Sequence, residues 1–139
     1  MRKLKLRAES ADDVTVISSA LQDAILKVGE IDYSSRDRHV TLRVSRYLHE
    51  HAPARVLSGL RIDSVMDIKS TGIDRSDPDA LMVFLSMEFT PDDEPPGGFL
   101  SLKFAGGGEI MAKVEAIDLI MVDVSRPRRT GHRPVHPDI

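Results

Sequence analysis

Residues 99–115 read "FLSLKFAGGGEIMAKVE", a triple glycine between two apolar runs. A glycine run in that setting either cradles a phosphate or turns a hairpin, and the fold depends on which. On its left Leu100, Leu102 and Phe104 alternate with Ser101 and Lys103; on its right Ile110, Ala112 and Val114 alternate with Met111, Lys113 and Glu115. A period of two marks a strand with one buried face. Strands on both sides make Gly106, Gly107 and Gly108 a hairpin connection whose residues can take positive φ. A phosphate loop would instead open a helix. No Lys-Ser or Lys-Thr follows the glycines, and the third glycine of a dinucleotide pattern would fall at Met111.

Working outward, "EAIDLIMVDV" (115–124) fits two patterns. Ile117, Leu119 and Met121 alternate as in a strand, while Ile110, Val114, Ile117 and Met121 also fit a helical stripe. The hairpin context favours the strand. Upstream, "TPDDEPPGG" is a loop, and "ALMVFLSMEF" (80–89) is apolar on both parities, which predicts a strand covered on both faces. In "ARVLSGLRIDSVMDIK" (54–69), Val56, Leu60, Ile62, Met66 and Ile68 share one parity, predicting one long bent strand or two in sequence. "HVTLRVSRYL" (39–48) points Val40, Leu42 and Val44 one way and Thr41, Arg43 and Ser45 the other. It forms a hairpin with "ILKVGEIDY" (25–33), whose phase shifts near Gly29, where a β-bulge is predicted. One helix is predicted from about Ala11 to Gln22. Ser10 is its N-cap, Asp13 closes a capping box, and Val14, Ile17 and Leu21 form its apolar face. Leu4 and Leu6 alternate with basic residues in a short strand before it.

These elements define an α+β domain: a curled antiparallel sheet of six or seven strands with one N-terminal helix packed on it. The chain of 139 residues is the size of one domain, assigned to 1–125, followed by an extended Pro/Arg-rich tail over 126–139. Aromatics make up only 4% of the chain and tryptophan is absent, so the core is aliphatic and stacking platforms for single-stranded nucleic acid are lacking. With no cysteine, disulfides, thiolate catalysis and cysteine metal sites are excluded. The charged N-terminal stretch has no apolar core and no run suits a membrane span, so a cytoplasmic location with no membrane contact is expected.

The tail "SRPRRTGHRPVHPDI" holds four arginines, Arg126, Arg128, Arg129 and Arg133, against one acid, so it carries +3 and the rest of a −3 chain carries −6. Arginine forks suit carboxylates or phosphates. With His132 and His136, these arginines are the candidate contacts for an anion or a partner. The tail either docks on the domain or a second copy, or stays loose. Two histidine groups, His49 and His51 around Glu50 and His132 and His136 before Asp138, have the chemistry of zinc ligands. Pro134 and Pro137 exclude the helix that would align the second pair, and no metal or other cofactor is assigned. Acid pairs Asp12–Asp13 and Asp92–Asp93 read as a helix first turn and a loop, and no serine has a nucleophile-elbow context.

"LKLRAESADDVTVISSALQDAILKVGEI", "FAGGGEI" and the closing "RPVHPD" together resemble a bacterial family catalogued as domain of unknown function 2948, from about Leu4 to Asp138. The resemblance implies a small bacterial domain and carries no activity, cofactor or catalytic residue with it. A non-enzymatic binding or assembly module, with a protein partner or a homo-oligomer, is the leading expectation. The alternative is a small enzyme or sensor that holds an anionic metabolite through tail arginines and loop histidines. Nucleic-acid binding ranks third because the body is acidic.

Overall fold

A computed structural model describes residues 3–48 and 53–129. The helix α1 spans Ala11–Leu21, with Val14, Ile17 and Leu21 buried. Ser10 Oγ accepts from the Asp13 amide at 3.2 Å, as an N-cap should. The Asp13 carboxylate accepts from the Glu9 amide at 3.1 Å, one residue before the partner of a capping box. Asp23 ends the helix in the left-handed region, φ 70°, and its amide donates to the Phe84 carbonyl at 3.0 Å. The chain is thereby tied to the sheet as soon as it leaves the helix.

Around α1 runs a mostly antiparallel sheet of eleven strands, not six or seven. They are β1 (Lys5–Ala8), β2 (Ile25–Lys27), β3 (Ile31–Ser34), β4 (His39–Tyr47), β5 (Ala54–Ile62), β6 (Val65–Thr71), β7 (Leu81–Pro91), β8 (Gly98–Phe104), β9 (Glu109–Val114), β10 (Leu119–Asp123) and β11 (Arg128–Arg129). Their order is β1-β10-β5-β4-β2-β7-β8-β9-β6, with β3 also paired to β4 and β11 to β5. The higher count comes from breaks inside runs that read as single strands. Residues 25–33 divide at a 3-10 turn, Val28–Glu30, rather than at a bulge. There the Gly29 amide donates to the Pro78 carbonyl at 2.8 Å, and a Cβ on Gly29 would stand 3.0 Å from the Pro78 side chain. β2 is thereby laid between β4 and β7, while β3 pairs only with β4. Residues 54–69 form two strands, separated by Ser64 at φ 59°.

β7 corrects a second expectation. It is not covered on both faces: Leu81 is 67% and Leu85 43% exposed. The register with β8 slips between Phe84 and Ser86, so Met82 and Phe84 are inside before the slip and Met87 after it. A bulge moves the buried parity from even to odd, and a run that supplies both parities looks apolar throughout.

The glycine hairpin joins β8 to β9 as the alternation requires, with Gly106 at φ 87° and Gly107 at φ 96°. Within the triple glycine positive φ is confined to these two; Gly108 is held to close contact, its Cβ direction lying 3.1 Å from Ile73 Cγ1. Residues 119–123 form β10, which settles the strand-or-helix ambiguity in favour of the strand. The core is a continuous aliphatic cluster joined by Phe84 and Phe104, packed edge to face at 6.0 Å. The sheet curls without closing. Its far edge, β6, returns beside β3, the Val65 amide donating to the Arg38 carbonyl at 2.9 Å, yet no ladder joins the two strands.

Candidate functional site

Five strands in spatial order, β3, β4, β5, β10 and β1, form one layer with two chemically different faces. Alternation decides which residue goes where. Inward point Val40, Leu42, Val44 and Arg46 from β4, Val56, Ser58, Leu60 and Ile62 from β5, and Leu119, Met121 and Asp123 from β10. Arg46 and Asp123 are the surprise on that face, being 2% and 5% exposed.

They satisfy one another. Arg46 Nε and Nη2 donate to Asp123 Oδ1 and Oδ2 at 3.3 and 3.1 Å, Ser58 Oγ donates to Oδ1 at 2.6 Å, and the Leu4 amide donates to Oδ2 at 3.0 Å. Burial by itself would raise the Asp123 pKa; the hydrogen bonds from Arg46, Ser58 and Leu4 outweigh it and hold the carboxyl below the usual carboxylate value. With every acceptor occupied and almost no solvent access, this group pins β4, β5, β10 and the residue before β1 together. Its chemistry is structural. The sequence did carry the signal, because Arg46, Ser58 and Asp123 all fall on the buried parity of their strands.

The outward face is an open groove of about 820 Å³. The ladders fix its rows. Asp32, Thr41, Arg61, Ile120 and Arg7 lie side by side across the five strands, and the next row places Arg43, Gly59, Val122 and Lys5, with Glu30 at its β3 end. Below them come Ser45 and Leu57, with Val124 joined to Leu57 by a 2.8 Å amide-to-carbonyl bond. Leu57 and Val124 are 43% and 55% exposed. Nothing lies within 4 Å of a Cβ placed on Gly59, so the middle of the groove is bare backbone. The charges are unevenly placed: acids on the β3 border, Lys5 and Arg7 on the β1 border, and Arg43 and Arg61 between them on β4 and β5. Arg61 and Arg7 reach Asp63 and Asp118 at 2.9 and 3.8 Å, whereas no ion pair among the described residues engages Lys5, Arg43, Glu30 or Asp32.

The described start of the tail, residues 126–129, enters this surface. β11 pairs with β5 in line with β10, Arg128 opposite Arg55 and Arg129 opposite Ala54. Arg128 therefore takes a register position on the groove's face and Arg129 one on the opposite face. Arg126 is exposed in the connection from β10. Arg55 beside them is anchored, its Nη1 donating to the Ser45 carbonyl at 2.9 Å with the guanidinium 5.6 Å from the Tyr47 ring centre. Burial lowers its pKa, opposed by Asp23 and Tyr47. Arg133, His132 and His136 lie outside the described residues, as do His49 and His51. His39 follows the β3–β4 turn, with Nε2 4.0 Å from Asp37 and no hydrogen-bond partner for its buried Nδ1 among the described residues. Among the described residues there is no group of three or more His, Asp or Glu side chains placed to hold a metal, and no helix long and apolar enough to cross a membrane.

The family described as "Protein of unknown function (DUF2948)" matches residues 4–136, and the chain belongs to that family. No curated protein and no solved structure matches the chain.

Proposed function

We propose that the protein is a non-catalytic assembly module that pairs with a second copy of itself through the outward face of β3, β4, β5, β10 and β1. What carries the reading is the self-complementary layout of that face. A two-fold axis running along the central strand β5 brings β3 of one copy over β1 of the other. Glu30 then meets Lys5, Asp32 meets Arg7, and the stripe of Ile120 and Val122 lies over Thr41 and the aliphatic stem of Arg43. An axis across the strands would instead set acid on acid at the border, whereas the axis along β5 sets together only the two Arg61 side chains, each already paired with its own Asp63, so the charges favour that arrangement. The bare backbone at Gly59 lets the two sheets approach, and the resulting packing is the aligned stacking of a β-sandwich. Arg128 adds a further cation to the same surface, which gives the tail a part in assembly.

A five-strand face is only about 20 Å wide at ~4.8 Å per strand. Its three rows, two residues apart at ~3.4 Å per residue, extend it by about 20 Å along the strands. The face thus offers roughly 400 Å² against the roughly 800 Å² per partner of a standard stable interface, and pairing in the micromolar range is expected. Sedimentation equilibrium on charge-swapped chains tests it. Glu30→Lys or Lys5→Glu alone should weaken the dimer roughly tenfold or more by setting like charges together, and the double swap should restore it. A chain that stays monomeric at high concentration, or a dimer indifferent to either single swap, overturns the proposal.

A further inference from the structure

The place where the sheet curls round without closing is a second feature of a different kind. At one end the turn between β3 and β4 is held to the start of β6 by the Val65 amide donating to the Arg38 carbonyl, and to the end of β9 by the Arg38–Glu115 ion pair. Toward the other end β3 and β6 separate, with no ladder between them, and the gap is a pocket of about 100 Å³. Its walls are aliphatic: Val28, Ile31, Ile68, Ile73 and Ile110. Val28 and Ile110 belong to the buried core, so the floor is apolar and continuous with it.

Three polar side chains complete the lining: the Tyr33 phenol, the Ser70 hydroxyl and the Arg75 guanidinium. None of the three has a hydrogen-bond or ion-pair partner among the described residues. Two of the acids in the loop that carries Arg75 are engaged elsewhere. Asp74 accepts from the Ser76 amide and hydroxyl at 3.0 and 2.6 Å, and Asp79 lies 3.8 Å from Lys27 Nζ. An apolar floor rimmed by unoccupied donors, one of them cationic, is the usual build of a site for a small amphipathic anion.

We propose that this seam binds a small carboxylate bearing a short branched aliphatic chain. The chain packs against Ile31, Ile68 and Ile110, and the carboxylate accepts from Arg75 with Tyr33 and Ser70 beside it. Size sets the class: an enclosed apolar cavity of about 150 Å³ holds benzene, so a pocket somewhat smaller and open on one side suits a four- or five-carbon chain. Occupancy would also join β3 to β6 through the ligand and stiffen the open side of the sheet.

The probe is isovalerate, followed through the backbone amide resonances of the full chain, with isopentanol and acetate as controls. Saturable shifts confined to Tyr33, Ile68, Ser70, Ile73 and Arg75 are expected. They should weaken at least tenfold in Arg75→Gln, which removes only the exposed charge, and disappear in Ile68→Phe, which fills the gap. Acetate should leave the seam unmoved. Equal binding of isopentanol, or shifts that persist in Arg75→Gln, would refute the carboxylate assignment, and the absence of seam shifts would refute the site. This surface is separate from the groove, so neither result depends on whether the chain dimerises.

Discussion

Arg43 and Arg46 lie three residues apart on β4, one exposed on the groove side and one 2% exposed on the core side. On the inner face a charge exists only because its partner is already in place: Asp123 supplies two acceptors to Arg46, and Ser58 and the Leu4 amide fill the rest. On the outer face Arg43 has no such partner among the described residues and water solvates it. The two faces of one layer thus use the same side-chain chemistry for opposite ends. A buried charge network fixes how strands meet, and an exposed charge pattern remains free to select what meets the protein.

The most severe test of that contrast removes the inner anchor. Asp123→Ala leaves a buried guanidinium without a counter-charge and should cost about 3–5 kcal/mol, visible as a large drop in the denaturant midpoint. A loss below 1 kcal/mol would mean that Arg46 finds water or another acceptor, and the inner face would not differ in kind from the outer. Acid gives a second, smaller effect. Because the folded carboxyl of Asp123 has a pKa below its unfolded value near 3.9, its contribution is fully present above that value and is lost as pH falls through the lower folded pKa. Wild type should therefore lose stability more steeply below about pH 4 than Asp123→Asn, compared by thermal melts across the acid range. Parallel curves would remove the network from the account. The smallest effect belongs to the outer face. Gly59→Ala adds a methyl into open space and restricts the unfolded chain, so it should raise stability by about 0.4–1 kcal/mol. A clear loss would show that this face is more tightly constrained than the groove implies.

Parts of this were legible in the residues themselves. The alternation around Gly106–Gly108, the Ser10 cap and the Val14, Ile17 and Leu21 stripe each correspond to the element they predict, because each signal is complete within one or two turns of chain. The breaks were not. Residues 25–33 divide because Gly29 is pressed against Pro78, some fifty positions away, and residues 81–91 change phase because Leu85 has no opposite number on β8. Neither constraint is local. In the site, the tail arginines were visible as composition, but only the ladder with β5 puts Arg128 on the groove's face and Arg129 on the other.

By itself the sequence determined the class of fold, an antiparallel sheet with one helix. Period, caps and turn chemistry depend on residues a few positions apart, and those relations hold in any compact arrangement of the chain. Strand order, the inward pairing of Arg46 with Asp123 across 77 positions, the uneven placement of charge across the groove and the unclosed seam between β3 and β6 were decided by the tertiary structure alone. The physical reason is that parity says which side of its strand a residue occupies, while a site is made by which strands become neighbours. That depends on how the whole aliphatic core packs at once.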